Sequence, residues 1–406
     1  MKTILKLGAF FLAMGTMQLS INAQTFTNFT VADGLLSNNV HCLSIDVSDN
    51  IWFGTQNGVS FYDGSTWTSH SQATDSGLVD NNVKAIYVAS NGNVWIGTDF
   101  GISVYDGMSW TAYTESDGLG DNRVNCITET VTGAIWIGTS DGVTKKEGSV
   151  WTSWGMSDGL PFGGVNHISE HNSGLLYMGS GLGGVQIFDG TTFSEFTETE
   201  GLLNDKVRSI HIDATDKKWI GTADGLTVMD GTDALFENHT RMFILPPPDT
   251  LNPVEDVTMD INGNIWAAIY VDYLVTEGGV AMYNGFNWIS YDVSDGLIGP
   301  VVKQIAVDGS NNLWVTTSTG VTRMSNLLSN IEEYKNAGIT IYPNPALNVL
   351  NVALTKQSKI KIYDLTGRIL YTSQRLVSSQ TIDISDWKKG IYMLSTGGGV
   401  SKFVII

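Results

Sequence analysis

Seven polar side chains recur at one place in a repeating sequence: His41, Lys84, Asn125, Asn166, Arg208, Glu255 and Lys303. Each follows the first Val of a strand-like piece, yet the residue types differ from repeat to repeat. Groups with a purely structural duty are expected to repeat one type. Variable donors, acceptors and charges brought to one mouth fit the recognition of a polar ligand; a solvated channel rim is the other reading left open. Acid-base chemistry would need a carboxylate pair, for which Glu255, Asp256, Asp272 and Glu277 are the candidates, but no spacing holds them together. His41, His167 and His211 fall at non-equivalent positions and read as rim or inter-strand residues. Cys42 and Cys126 stand two repeats apart, too far for a bridge, and read as small buried residues.

The positioning elements follow from the repeat. The strings IWFGT, VWIGT, IWIGT, LYMGS, KWIGT, IWAAI and LWVTT place an aromatic at Trp52, Trp95, Trp136, Tyr177, Trp219, Trp266 and Trp314, at spacings of 43, 41, 41, 42, 47 and 48. A period near 40 to 45 residues with four strand-like pieces per unit is the signature of a β-propeller blade. In the second unit the pieces are Val83 to Val88, Val94 to Thr98, Gly101 to Tyr105 and Ser109 to Tyr113, here named strands A to D. Strand B is apolar at consecutive positions, as in a sheet buried on both faces, so the repeated aromatics are expected in the cores between blades. Asp33, Asp117, Asp158 and Asp295 are expected to cap the turn before strand A.

Strands A to C occur seven times, and the last C lacks its own D. Phe26 to Thr30 stands where a D should, so the predicted architecture is all-β: a seven-bladed β-propeller closed by its N-terminal strand. The predicted boundaries are a signal peptide over residues 1–23, a propeller over 24–326, a linker over 327–338 and a small β-sandwich over 339–406. The signal reading rests on Lys2 and Lys6, an apolar stretch, and Ser20 to Ala23. No later run is long and apolar enough for a membrane helix.

Two connections break the repeat. From the end of strand C to the next aromatic the distances are 32, 30, 30, 30, 36 and 30, and from aromatic to strand C end they are 11, 11, 11, 12, 11 and 18. Both long values belong to the sixth blade, and strand parity puts both loops on one face. The first carries Arg241 to Asp249; the second adds Tyr270, Asp272, Tyr273 and Glu277, which could stack on and hydrogen-bond a sugar or peptide. A ligand site is therefore expected at the mouth near blades five to seven, unless the loops only pack on each other.

Composition limits the partners. Of 406 residues 45 are Gly and only 16 % are charged, against about 7 % and about 25 % in typical chains, which suits many short strands and tight turns. The net charge of -19 divides into +2 for the first 23 residues, -25 for the middle and +4 for residues 331–406. A module this acidic repels phosphate backbones, so nucleic acid is not an expected partner. No cofactor is expected: the turn Asp260 to Asn264 is faintly like a calcium loop but lacks the ladder that ends in a bidentate Glu.

The units Asp-Gly-Leu, Val-x-x-Ile, Ile-Trp-Ile-Gly-Thr and Gly-Val-x-x-Tyr-Asp-Gly resemble the two-component regulator propeller repeat of periplasmic sensor regions in Bacteroidetes. In that family a β-sandwich, a membrane helix and a kinase follow; neither that sensor sandwich nor the helix and kinase are found here, so signalling does not carry over. Ile341 to Pro345, Ile362 to Arg368 and Lys389 to Leu394 resemble the C-terminal sorting domain of the Por (type IX) secretion system. That resemblance implies export to the surface or beyond, and the type IX machinery as a partner. The propeller is also similar in shape to streptogramin lyases and related secreted lyases, which place a His and a metal at the ring mouth. The function expected is a secreted binding module for an extracellular glycan or peptide. A secreted lyase or hydrolase and a structural adhesin are the alternatives.

Overall fold

The structure is a computed structural model that describes residues 24–160, 163–243, 252–270, 277–285, 287–327, 339–343, 346–364, 368–396 and 399–405. The chain divides into two compact units, one of Asn22–Leu328 and one that contains Ser329–Ile406. Strands dominate both, and the helices among the described residues are two 3₁₀ turns, Glu115–Asp117 and Met156–Asp158.

The first unit holds seven four-stranded antiparallel sheets. Their A strands are Val40–Ile45, Ala85–Val88, Val124–Glu129, Val165–Glu170, Val207–Ile212, Val254–Met259 and Val302–Val307. We number the sheets one to seven in that order. Sheets one to six run A to D without interruption; in sheet seven the fourth strand is Thr25–Phe29, paired antiparallel with Gly320–Ser325. Neighbouring sheets touch through their A strands in sequence order, and the A strand of sheet seven touches that of sheet one.

The repeated string is explained by what surrounds it. The B strands Ile51–Thr55, Val94–Thr98 and Ile135–Thr139 are buried at every residue. Each aromatic packs into the seam with a neighbouring sheet: Trp52 beside Val83, Trp136 beside Val165, Trp314 beside Phe29 and Phe53. An aromatic side chain buries roughly 200 Å², and at about 25 cal/mol per Å² each ring stabilises its seam by several kcal/mol.

The Gly of the string serves close approach. A Cβ at Gly179 would stand 2.6 Å from Cγ1 of Val207, and one at Gly54 2.6 Å from Cγ1 of Val83. The Thr closes the next turn: Thr55, Thr98, Thr139, Thr222 and Thr317 each donate a hydroxyl to the carbonyl of the Gly three residues on, at 2.8 to 3.1 Å. Sheet six has Ile269 in place of that Thr, and there the connection to strand C lengthens. The expected turn caps are present: Asp33, Asp117, Asp158 and Asp295 each accept the backbone N–H three residues back, at 2.8 to 2.9 Å.

The second unit contains a three-stranded sheet, Ile339–Tyr342, Val349–Ser358 and Val377–Asp383, and a four-stranded sheet. Leu350, Val352 and Ile382 of the first share one core with Ile362, Leu394 and Phe403 of the second. Alternation of apolar and polar residues along these strands produces this single covered face on each sheet.

Candidate functional site

All seven predicted side chains, His41, Lys84, Asn125, Asn166, Arg208, Glu255 and Lys303, line one cavity of about 620 Å³. The local cause is a bulge. In strand A the first Val pairs with the last residue of strand B, and the residue two positions on pairs with the residue before that one, leaving the residue between unpaired. The register shifts in this way at Val40/Cys42, Val124/Cys126, Val165/His167, Val207/Ser209, Val254/Asp256 and Val302/Gln304. A bulge bends the strand and re-aims the extra side chain, here at the same depth in six of the seven sheets; in sheet two strand A begins at Ala85, directly after Lys84.

The seven groups fall into three sectors. Arg208 and Glu255 form an ion pair across sheets five and six. Asn125 and Asn166 donate their side-chain amides to the carbonyls of Val165 and Val207 in the next sheet, at 3.2 and 3.1 Å. In the third sector Lys303 Nζ donates to Asn39 Oδ1 at 2.6 Å and lies 3.3 Å from His41 Nδ1. Lys84 Nζ stands 3.9 Å from Asp99. Burial first, then the charges of Lys303 and Lys84, hold His41 down at about 4, so its ring is neutral at physiological pH. Burial, with Lys84 adding to it, also pulls Lys303 below the usual lysine range.

One residue deeper, the side chains tie sheets together. Asp256 Oδ1 accepts the Ser209 hydroxyl at 2.8 Å and the Val257 N–H at 2.9 Å, while its Oδ2 accepts the Ile305 N–H at 3.0 Å. That carboxyl thereby links sheets five, six and seven. Burial outweighs these donors and pushes it up to about 6. Gln304 accepts the Leu43 N–H at 2.8 Å, joining sheets seven and one. The types of these residues gave no sign of this layer, because their partners lie more than forty residues away.

Of the four carboxylates offered for a pair, Glu255 is engaged by Arg208 and Asp256 by three donors, so these two are committed to other partners. Glu277 is half-buried at the start of strand C in sheet six. Asp272 and Tyr273 lie outside the described residues, as do residues 244–251 of the first long connection. The described feet of the two long connections meet: Tyr270 N–H donates to the Pro253 carbonyl at 3.3 Å. Asn252 Oδ1 accepts the N–H groups of Met242 and Phe243 at 2.5 and 2.6 Å, clamping the first connection at its base. The turn at Asp260 is an internal brace: its carboxylate accepts from Asn262, Asn264 and Trp266. Among the described residues, no group of three or more His, Cys, Asp or Glu side chains is placed to hold a metal ion. Both cysteines are free, and burial pushes the Cys42 and Cys126 thiols up to about 12.

Comparison with known proteins follows the same division. Residues 34–57, 77–100 and 118–141 match the two component regulator propeller family, and residues 340–406 match the secretion system C-terminal sorting domain. The beta-agarase D of Zobellia galactanivorans is 35% identical over 72 residues, 17% of this chain and 15% of that protein. Among solved structures, the extracellular domain of a hybrid two component system from B. thetaiotaomicron superposes with a TM-score of 0.64 at 20% identity, covering 94% of this chain and 57% of that one. PorZ, a surface component of the type-IX secretion system of Porphyromonas gingivalis, gives 0.59 at 17% identity, covering 92% and 60%. A streptogramin B lyase gives 0.58 at 14% identity, covering 74% and 97%. At these identities the likeness is one of fold. The chain spans less than two thirds of PorZ and of the sensor domain, and a small part of the agarase. It joins two component regulator propeller repeats to a type IX secretion sorting domain, and so is a protein routed to the cell surface or the extracellular space.

Proposed function

We propose that the first unit is a seven-bladed propeller closed by its N-terminal strand, and that it acts outside the cell as a binding module for a glycan or peptide. Its site is the cavity at the mouth. The observation that carries this reading is the convergence on one cavity of seven polar side chains of five types, one from each sheet, six of them set at a repeated bulge. Seven seam cores and the contact of sheet seven with sheet one support the closed ring. The boundaries 24–326, 327–338 and 339–406 belong to the same reading.

The test is a screen of the purified protein against glycan and peptide arrays, beside an Arg208→Gln/Glu255→Gln double variant. Removing both charges together avoids leaving one of them buried and unpaired. The wild type should retain a ligand that the variant loses or binds at least about tenfold more weakly. A ligand held equally by both would place recognition elsewhere.

A further inference from the structure

Resting on the cavity reading, we propose that the sector made by Lys303, His41 and Lys84 receives the anionic group, a carboxylate or sulfate, of an acidic saccharide. Three donors converge there from sheets seven, one and two, and among the described residues no carboxylate is paired with Lys303 or His41. Lys303 Nζ faces Asn39 Oδ1 at 2.6 Å and His41 Nδ1 at 3.3 Å. Asn39 is itself held by Gln56, its Nδ2 donating to Oε1 at 3.2 Å, which fixes its oxygen toward the ammonium. Because Nδ1 of neutral His41 faces an ammonium, it must accept, and the ring proton sits on Nε2. That Nε2 is buried and has no hydrogen-bond partner. It is a donor held ready beside two cations. Asp99, half-exposed, stands 3.9 Å from Lys84.

This arrangement is costly unless it is used. The middle of the chain carries 36 acidic against 11 basic residues, so carboxylates abound to pair a buried lysine. Across the cavity Arg208 is in fact paired with Glu255. Lys303 is instead surrounded by an amide, an imidazole and a second lysine. A half-buried ammonium without a counter-ion is unfavourable and is relieved when an anion enters. The rest of the mouth favours a saccharide over an acidic peptide. The side chains of Asn125, Asn166, Arg208 and Glu255 offer donors and acceptors suited to the hydroxyl groups of a sugar, while Tyr87 and the apolar residues Leu43, Ile86 and Ile127 also line the cavity and could face the ring of one.

Calorimetric titration of the full chain tests this with four probes: an oligosaccharide ending in glucuronate, the same sugar ending in glucose, the glucose sulfate form, and a short oligoglutamate. The acidic sugars should bind, with affinity falling as salt is raised, and the neutral sugar should bind at least about tenfold more weakly. Preference between glucuronate and sulfate tells which anion the sector takes. Lys303→Met and Lys84→Met should each weaken acidic-sugar binding about tenfold or more, and Lys303→Arg should restore most of it. Unchanged thermal unfolding establishes that these variants are folded. Equal binding of neutral and acidic sugars, or no effect of either Lys→Met change, overturns the anion site while leaving the cavity reading intact. Binding of oligoglutamate alone overturns the saccharide assignment. If no probe binds and the array screen also finds no ligand, the cavity reading itself fails and this proposal falls with it.

Discussion

The buried Asp256 carboxyl makes a pH-dependent contribution to stability whose sign and size follow from its surroundings. Its folded pKa, about 6, lies above the ordinary 3.8 because burial outweighs three donated hydrogen bonds. A raised acid favours the folded state in full only below its unfolded pKa, and that contribution is lost as pH rises through about 6. Linkage between the two values removes about 2 kcal/mol between pH 4 and pH 7. His41 and His167, both held down at about 4 by burial, act in the opposite direction over the same range, so the wild-type curve alone does not isolate the carboxyl. The difference between wild type and Asp256→Asn does. The amide keeps an acceptor for Ser209 and Val257 but turns an NH₂ group on the Ile305 N–H, a cost of about 1 to 3 kcal/mol that does not vary with pH. The variant should therefore be less stable than wild type by about 2 kcal/mol more at pH 4 than at pH 7. Urea unfolding followed by tryptophan fluorescence reads this unit well, since of the 12 Trp only Trp387 lies in the second one. A difference that stays constant from pH 4 to pH 7 would refute the assignment of a protonated, buried carboxyl at the junction of sheets five, six and seven.

Two further outcomes test the architecture and the route. Gly179→Ala should lower stability by about 1 to 3 kcal/mol by overpacking against Val207, measured as a drop in the urea midpoint; an unchanged midpoint means the seam is looser than the 2.6 Å approach implies. Deleting residues 339–406 should leave the protein in the periplasm of a type IX-competent host, read by fractionation and immunoblotting, and normal export without them would remove the sorting role.

Much of the first unit was legible because it is written once per repeat. Trp136 and Trp314 sit at the same depth in their sheets, and the Gly and Thr after such aromatics answer to a neighbouring Val and a turn carbonyl that also recur. A period read along the chain therefore recovers the strands, the turn caps and the polar position at the bulge. Pairing within the ring is a different matter. Glu255 and Asp256 are adjacent carboxylates of similar chemistry, and the sequence offered both for acid-base work. The bulge separates them, giving one to Arg208 at the mouth and sending the other into the seam to meet Ser209 and Ile305.

Charge pairing around the cavity is likewise set by contacts between sheets. In the sequence the two long connections mark blades five to seven, where insertions are visible as counts. Yet at sheets five and six the mouth charges already satisfy each other. Lys303 and His41, which have no carboxylate partner among the described residues, lie at sheets seven and one, 262 residues apart in the chain and 3.3 Å apart in space. No spacing pattern can announce that contact, since it exists only because the last sheet stands beside the first. Phe29 of the N-terminal strand packs in the seam between sheets seven and one, across which Lys303 meets His41. A change that loosens Thr25–Phe29 from Gly320–Ser325 would be expected to weaken acidic-ligand binding before it disturbs the Arg208–Glu255 side of the cavity.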